Sequence, residues 1–91
     1  MADCSGKMFT TIPTKISSEI EVLIMDNNFI KKLDKDAFKS VGLTNLKKIS
    51  LKKCGIVDLD ENSFRDLGNL RNIDLADNNI SKLKQNTFNG K

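Results

Sequence analysis

The chain has 91 residues, enough for one small domain. With 38% hydrophobic and 30% charged residues it has the composition of a folded protein and not of a disordered tail. Its +3 charge, with Lys and Asp/Glu alternating along the chain, lacks the concentrated basic face that nucleic acid or an anionic membrane surface requires. The longest apolar run is only Val22 to Met25, so no membrane span is expected, and the first twenty residues hold no signal-peptide core. Met1-Ala2-Asp3 reads as a translation start joined directly to a mature segment.

From the N-terminus, residues 1–19 form a partial coil. Phe9, Ile12 and Ile16 lead into Ile20 as an apolar series, with Pro13 holding an extended turn. Three longer segments follow, at 20–45, 46–69 and 70–91, and they align without gaps over fourteen positions. The first reads Ile20-x-x-Leu23-x-Met25-x-x-Asn28-x-Ile30-x-x-Leu33. The second reads Leu46-x-x-Ile49-x-Leu51-x-x-Cys54-x-Ile56-x-x-Leu59, and the third Leu70-x-x-Ile73-x-Leu75-x-x-Asn78-x-Ile80-x-x-Leu83. Five residues after each last aliphatic stands a Phe, at 38, 64 and 88. In register with these segments, Phe9 matches Ile30, Ile12 matches Leu33, and Cys4 falls at the sixth, inward position of a first strand near Ala2 to Ser5.

Side chains alternate along a strand, so the fourth and sixth positions face inward and the third, fifth and seventh outward. A single coil cannot bury such a ring of aliphatics, but stacked coils can, and stacking brings their strands into one parallel sheet. A column of Phe38, Phe64 and Phe88 is expected on the opposite side. The ninth position, Asn28, Cys54 and Asn78, suits an amide that binds the N–H and C=O groups of a buried turn; Cys54 breaks that ladder in the middle. The second segment starts 24 residues before the third but 26 after the first, and the surplus is expected as a bulge near Val41 to Asn45.

This pattern resembles the typical leucine-rich repeats of animal extracellular proteins. The resemblance implies an α/β solenoid: a right-handed coil with a short parallel β-sheet on its concave face and loops or 3-10 turns on its convex face. Cys4-Ser5-Gly6-Lys7 followed by Phe9-x-x-Ile12-Pro13 looks like the end of the family's cysteine-rich N-terminal cap, in which that cysteine pairs with one upstream. No upstream cysteine stands in this sequence. Gly42-Leu43-Thr44-Asn45-Leu46-Lys47-Lys48-Ile49, with Lys53-Cys54-Gly55-Ile56 behind it, is similar to the insect Kekkon receptors. The family implies a secreted or cell-surface parent.

Chemistry is poorly served by these residue types. With no His and two distant cysteines there is no zinc set, and Asp58, Asp60 and Glu61 lack the spacing of a calcium loop; no metal, cofactor or catalysis is expected. Cys4 and Cys54 fall two coils apart, too far for a bond, which leaves Cys4 as the candidate for an intermolecular link. Asn79-Ile80-Ser81 is an N-glycosylation sequon.

The remaining candidates are the outward strand positions, which together make a binding surface for a protein ligand. They are Val22, Ile24, Asp26 and Asn27; Lys48, Ser50, Lys52 and Lys53; and Asn72, Asp74, Ala76 and Asp77. Across the stack they run apolar, basic, then acidic, and the Lys and Asp residues of the second and third coils are expected to pair across strands. Val22 and Ile24 require either a partner or cover from the cap coil. The alternative role is structural: Ile73, Leu75, Ile80, Leu83 and Phe88 border a flank without a cap, through which copies would associate into a homo-oligomer.

Overall fold

A computed structural model of the chain describes residues 1–80. Four short strands form a parallel sheet in the order β1 (Ala2–Asp3), β2 (Val22–Ile24), β4 (Lys48–Ser50) and β6 (Asn72–Asp74). Its register follows the sequence alignment: Ala2 pairs with Leu23, Leu23 with Ile49 and Ile49 with Ile73. Each strand is thus the fourth-position neighbourhood of one coil, and the partial coil at the N-terminus supplies a strand like the others.

A second parallel pair, β3 (Lys32–Leu33) with β5 (Asp58–Leu59), runs beyond the turn. The repeat contains its signal, because Leu33 and Leu59 occupy the same fourteenth position and both are buried. Among the described residues the helical content is a single 3-10 turn, Lys39–Val41. The fold is therefore a coil of strands and turns, with no α-helix between them in that range.

The core is the inward ring read from the sequence. Leu23, Met25, Ile30, Ile49, Leu51, Ile56 and Leu59 are completely covered. Phe38 and Phe64 stack on the far side with ring centroids 5.5 Å apart and planes 14° apart. Phe88, the third expected member of that column, lies outside the described residues, as does Leu83, while Ile73, Leu75 and Ile80 of the expected flank are half-buried against the core. The aliphatic ring is wider than the repeat formula, because Leu43 and Leu67 are buried as well, each three residues before the next coil begins.

Those two leucines relocate the irregular period. Leu43 to Leu46 matches Leu67 to Leu70, so the two surplus residues fall between Phe38 and Leu43, overlapping the expected Val41 to Asn45 stretch only at Val41 and Gly42. They are absorbed by the 3-10 turn, which ends at Gly42 in a left-handed conformation (φ 82°) that favours glycine. The Gly42 N–H bonds back to Lys39 O, and Leu43 N–H to Phe38 O, which returns the chain to the core instead of bulging it outward.

Candidate functional site

The outward positions lie on one face of the four-stranded sheet, in rows set by its register. Val22, Lys48 and Asn72 are side by side, and so are Asp3, Ile24, Ser50 and Asp74. Neighbours in a row are separated by about 4.8 Å. Val22 and Ile24 are half-buried, flanked by β1 on one side and β4 on the other. Lys48 and Lys53 are exposed and Lys52 is half-buried. Asn27, Lys53 and Asp77 share a left-handed backbone (φ 60°, 56° and 61°) at the turn that ends each strand.

Ser50 does not belong to the exposed set. It is 3% exposed, because its hydroxyl donates to Asp26 Oδ1 at 2.6 Å and the Asp26 side chain covers it. The same carboxylate oxygen accepts the Lys52 N–H at 2.9 Å. Other carboxylates on this face do similar work. Asp74 Oδ1 accepts the Ala76 N–H at 3.0 Å, and Asp3 Oδ1 accepts the Ser5 hydroxyl and N–H at 2.7 and 3.1 Å. The Ser5 hydroxyl, and after it the Ser5 N–H, hold the Asp3 carboxyl below its ordinary value of 3.8. These acids bind backbone at the strand ends, a role that alternation along the strand does not reveal.

The expected Lys–Asp pairing across the second and third coils is not present. Register places Lys48 opposite Asn72 and Ser50 opposite Asp74, so opposite charges stand diagonally and the direct neighbours are neutral. Among the described residues the ion pairs lie elsewhere, including Lys47–Glu21 at 3.4 Å, Lys39–Asp66 at 2.7 Å and Arg65–Asp36 at 3.1 Å. None of them engages Lys48, Lys52 or Lys53. The face accordingly offers two half-buried aliphatics beside three lysines of a single coil.

Behind this face runs the ninth-position ladder. Asn28, 2% exposed, accepts the N–H groups of Lys7 and Phe9 on Oδ1, both at 3.0 Å. Its Nδ2 donates to Cys4 O at 2.9 Å and Met25 O at 2.8 Å. Asn78 repeats the arrangement further along the stack, accepting from Cys54 N and Ile56 N and donating to Leu51 O and Leu75 O. Between them the Cys54 thiol donates to Met25 O at 3.0 Å. That carbonyl occupies the place Leu51 O has for Asn78.

Both cysteines are free. Cys4 follows β1 and Cys54 follows β4, two strands away in the sheet, and Cys4 is half-buried against the core. Burial pushes both thiols above their ordinary value of 9.0. In the acidic stretch, Asp60 Oδ1 instead holds the Asn62 N–H at 2.8 Å, and the Ser63 hydroxyl lies 2.7 Å from Asp60 O and 3.1 Å from Leu33 O. Ser63 is 1% exposed and ties the second coil to the first, a link that sequence spacing did not mark. Among the described residues no helix is long and apolar enough to cross a membrane.

A separate set of exposed apolar side chains lies beyond the sheet: Met8 at 75%, Phe29 at 57% and Val57 at 44%. Met8 and Phe29 hold the tenth position of adjacent coils, immediately after the ladder, and Val57 holds the twelfth. Strand alternation does not mark these three. An aliphatic or aromatic residue at a position the repeat formula leaves free is the signal that would have found them.

Comparison with known proteins agrees with this architecture. Residues 18–80 and 44–90 each match the model of the family described as leucine rich repeat. Human epiphycan is 43% identical over 58 residues, covering 64% of this chain and 17% of epiphycan. The crystal structure of human 5T4 (Wnt-activated inhibitory factor 1, trophoblast glycoprotein) superimposes with a TM-score of 0.88, covering 98% of this chain and 32% of that one at 24% identity. The chain therefore spans a minor part of either relative's length. The narrower likeness to Kekkon receptors rests on the Gly42–Ile56 residues alone. With repeat, register and core in agreement, the chain belongs to the leucine-rich repeat family.

Proposed function

We propose that this chain is a protein-recognition segment of a secreted or cell-surface leucine-rich repeat protein, and that it binds its ligand on the outward face of the β1-β2-β4-β6 sheet. In this reading the coil is right-handed and the sheet lines its concave side, as in a right-handed β-to-β crossover. The single observation that carries the reading is the surface of that face. Half-buried Val22 and Ile24 adjoin Lys48, Lys52 and Lys53, which have no ion-pair partner among the described residues. An apolar centre bordered by free charge is the usual anatomy of a non-obligate interface.

A photo-crosslinking residue at Ile24 or Lys48, presented to animal cell surfaces, tests the assignment. Saturable cross-links to protein are expected from both sites and not from Lys35 on the opposite side. Equal labelling from Lys35 would overturn it. The structural alternative, association through the outer flank of the third coil, predicts cross-links between copies of the chain and a melting temperature that rises with protein concentration.

A further inference from the structure

We propose that Asn79 carries an N-linked glycan whose first sugars lie across Gly55 onto the exposed ring of Phe29. The inference rests on the secretory reading of the parent protein and adds to it a modification site and a docking surface for the sugar. Asn79-Ile80-Ser81 is the one Asn-x-Ser/Thr triplet in the sequence. Asn79 is exposed, just past the ladder residue Asn78.

Two independent features of the fold point the glycan toward Phe29. The first is backbone equivalence. The Asn79 N–H bonds to Ile56 O at 3.0 Å, and the Phe29 N–H bonds in the same way to Phe9 O at 2.9 Å. Both follow an amide that binds the preceding coil identically, so the two side chains leave the stack at the same point of their coils. The residue between them in that row is Gly55.

The second feature is the surface itself. Phe29 is 57% exposed and stands in one row with Met8, 75% exposed, so the row presents an apolar patch and not an isolated side chain. A β-carbon placed on Gly55 would meet nothing within 4 Å, so the space between Asn79 and Phe29 is open. Gly55 has φ 70°, a conformation in which glycine is the unstrained choice, and its lack of a side chain keeps the path clear. Two coils correspond to about 10 Å at the usual strand spacing, a span that two linked sugar rings cover. The C–H face of N-acetylglucosamine is apolar and packs on the face of an aromatic ring.

The chemistry of attachment is that of the secretory pathway, with a lipid-pyrophosphate oligosaccharide as co-reactant. Asn79 Nδ2 forms the bond to the anomeric carbon of N-acetylglucosamine. The bond from that carbon to the pyrophosphate oxygen breaks, the lipid pyrophosphate leaves, and one amide proton is lost to base.

The experiment uses the whole chain secreted from animal cells behind a cleavable leader. Intact mass should show a glycan that endoglycosidase removes and Asn79→Gln abolishes; an unmodified secreted chain overturns the proposal. In the glycosylated protein, the N-acetylglucosamine proton resonances should shift upfield through the ring current of Phe29 and return to free-sugar positions in Phe29→Leu. Unshifted sugar resonances in the Phe29 protein would overturn the docking half. Neither readout involves the sheet face, so failure here is distinct from failure of the ligand assignment.

Discussion

The three junctions between coils are built alike except at one atom group. At the first, Asn28 makes two acceptor and two donor bonds between 2.8 and 3.0 Å, and a longer donor bond to Asp26 O at 3.4 Å. At the last, Asn78 makes the same set, the longer bond here going to Ala76 O. At the middle junction Cys54 retains a donor bond to Met25 O, while the N–H of Asn28 faces a sulfur, a weak acceptor. The thiol thus reproduces the direction of the ladder with less of its strength. What differs next to it is also informative. The Lys52 N–H is bound by Asp26 from the preceding coil, whereas Ala76 and Ser5 are bound by the aspartate two residues before them. The junction with the weakest ladder is the one that borrows a carboxylate across coils.

The largest test of this contrast is Asn28→Ala. It strands the N–H groups of Lys7 and Phe9 and the Cys4 carbonyl at a part-buried turn, while Met25 O keeps the Cys54 thiol, and should cost about 3 kcal/mol in urea unfolding, given roughly 1–3 kcal/mol for an unpaired buried group. A loss no larger than that of Cys54→Ala, expected near about 1 kcal/mol, would break the comparison. Cys54→Asn is the complementary change. It restores the amide at the middle junction, with Met25 O and the Asn28 N–H already in position, and should stabilise the chain by about 1 kcal/mol. A destabilised Cys54→Asn would mean that the pocket is shaped for sulfur and not merely tolerant of it.

The repeat was legible because its demands are strict: only aliphatics fit Leu23, Ile49 and Ile73, so fourteen positions define a register that the strand pairing then follows. Cys4 beside Met25 was legible for the same reason, since the Cys4 N–H bonds to Ile24 O as the Met25 N–H bonds to Ser50 O. What alternation could not convey was polar competition. Ser50 holds an outward position, but Asp26 reaches across one strand and buries it. Asp74 holds another, and its carboxylate turns to its own backbone instead of to Lys52. The two surplus residues were located only to within a few positions, and as an outward bulge, because sequence length gives the number of extra residues and not the turn that absorbs them; Gly42 and buried Leu43 are what locate them.

Asp26→Ala tests whether the borrowed carboxylate matters. It leaves the Ser50 hydroxyl and the Lys52 N–H without their acceptor and should cost about 1 kcal/mol, less than Asn28→Ala because fewer backbone groups lose a partner. In a Cys54→Asn background the loss should shrink, since the junction would then have a full ladder. Additive losses in that double-mutant cycle would show that the two features act independently.

The smallest effect is a pH dependence confined to the middle junction. Burial favours the neutral Cys54 thiol, opposed second by the Asn28 N–H, so its folded value lies above the ordinary 9.0. A group raised on folding contributes its stability below the unfolded value and loses it as pH rises through the folded one. The chain should therefore be flat in stability from about pH 7 to about 8.5 and weaken above about 9. Cys54→Ala should remove part of that decline, and Cys4, raised by the same cause, should supply the rest. The same burial orders reactivity: at about pH 8 iodoacetamide should modify half-buried Cys4 well before Cys54, which is 1% exposed. Alkylation of Cys54 then reports separation of the second coil from the first, because its sulfur is covered only while that junction is closed. If Cys54 instead reacts at the rate of Cys4 in the folded chain, the thiol is not held against Met25 O, and the middle junction is open where the amide-bearing ones are shut.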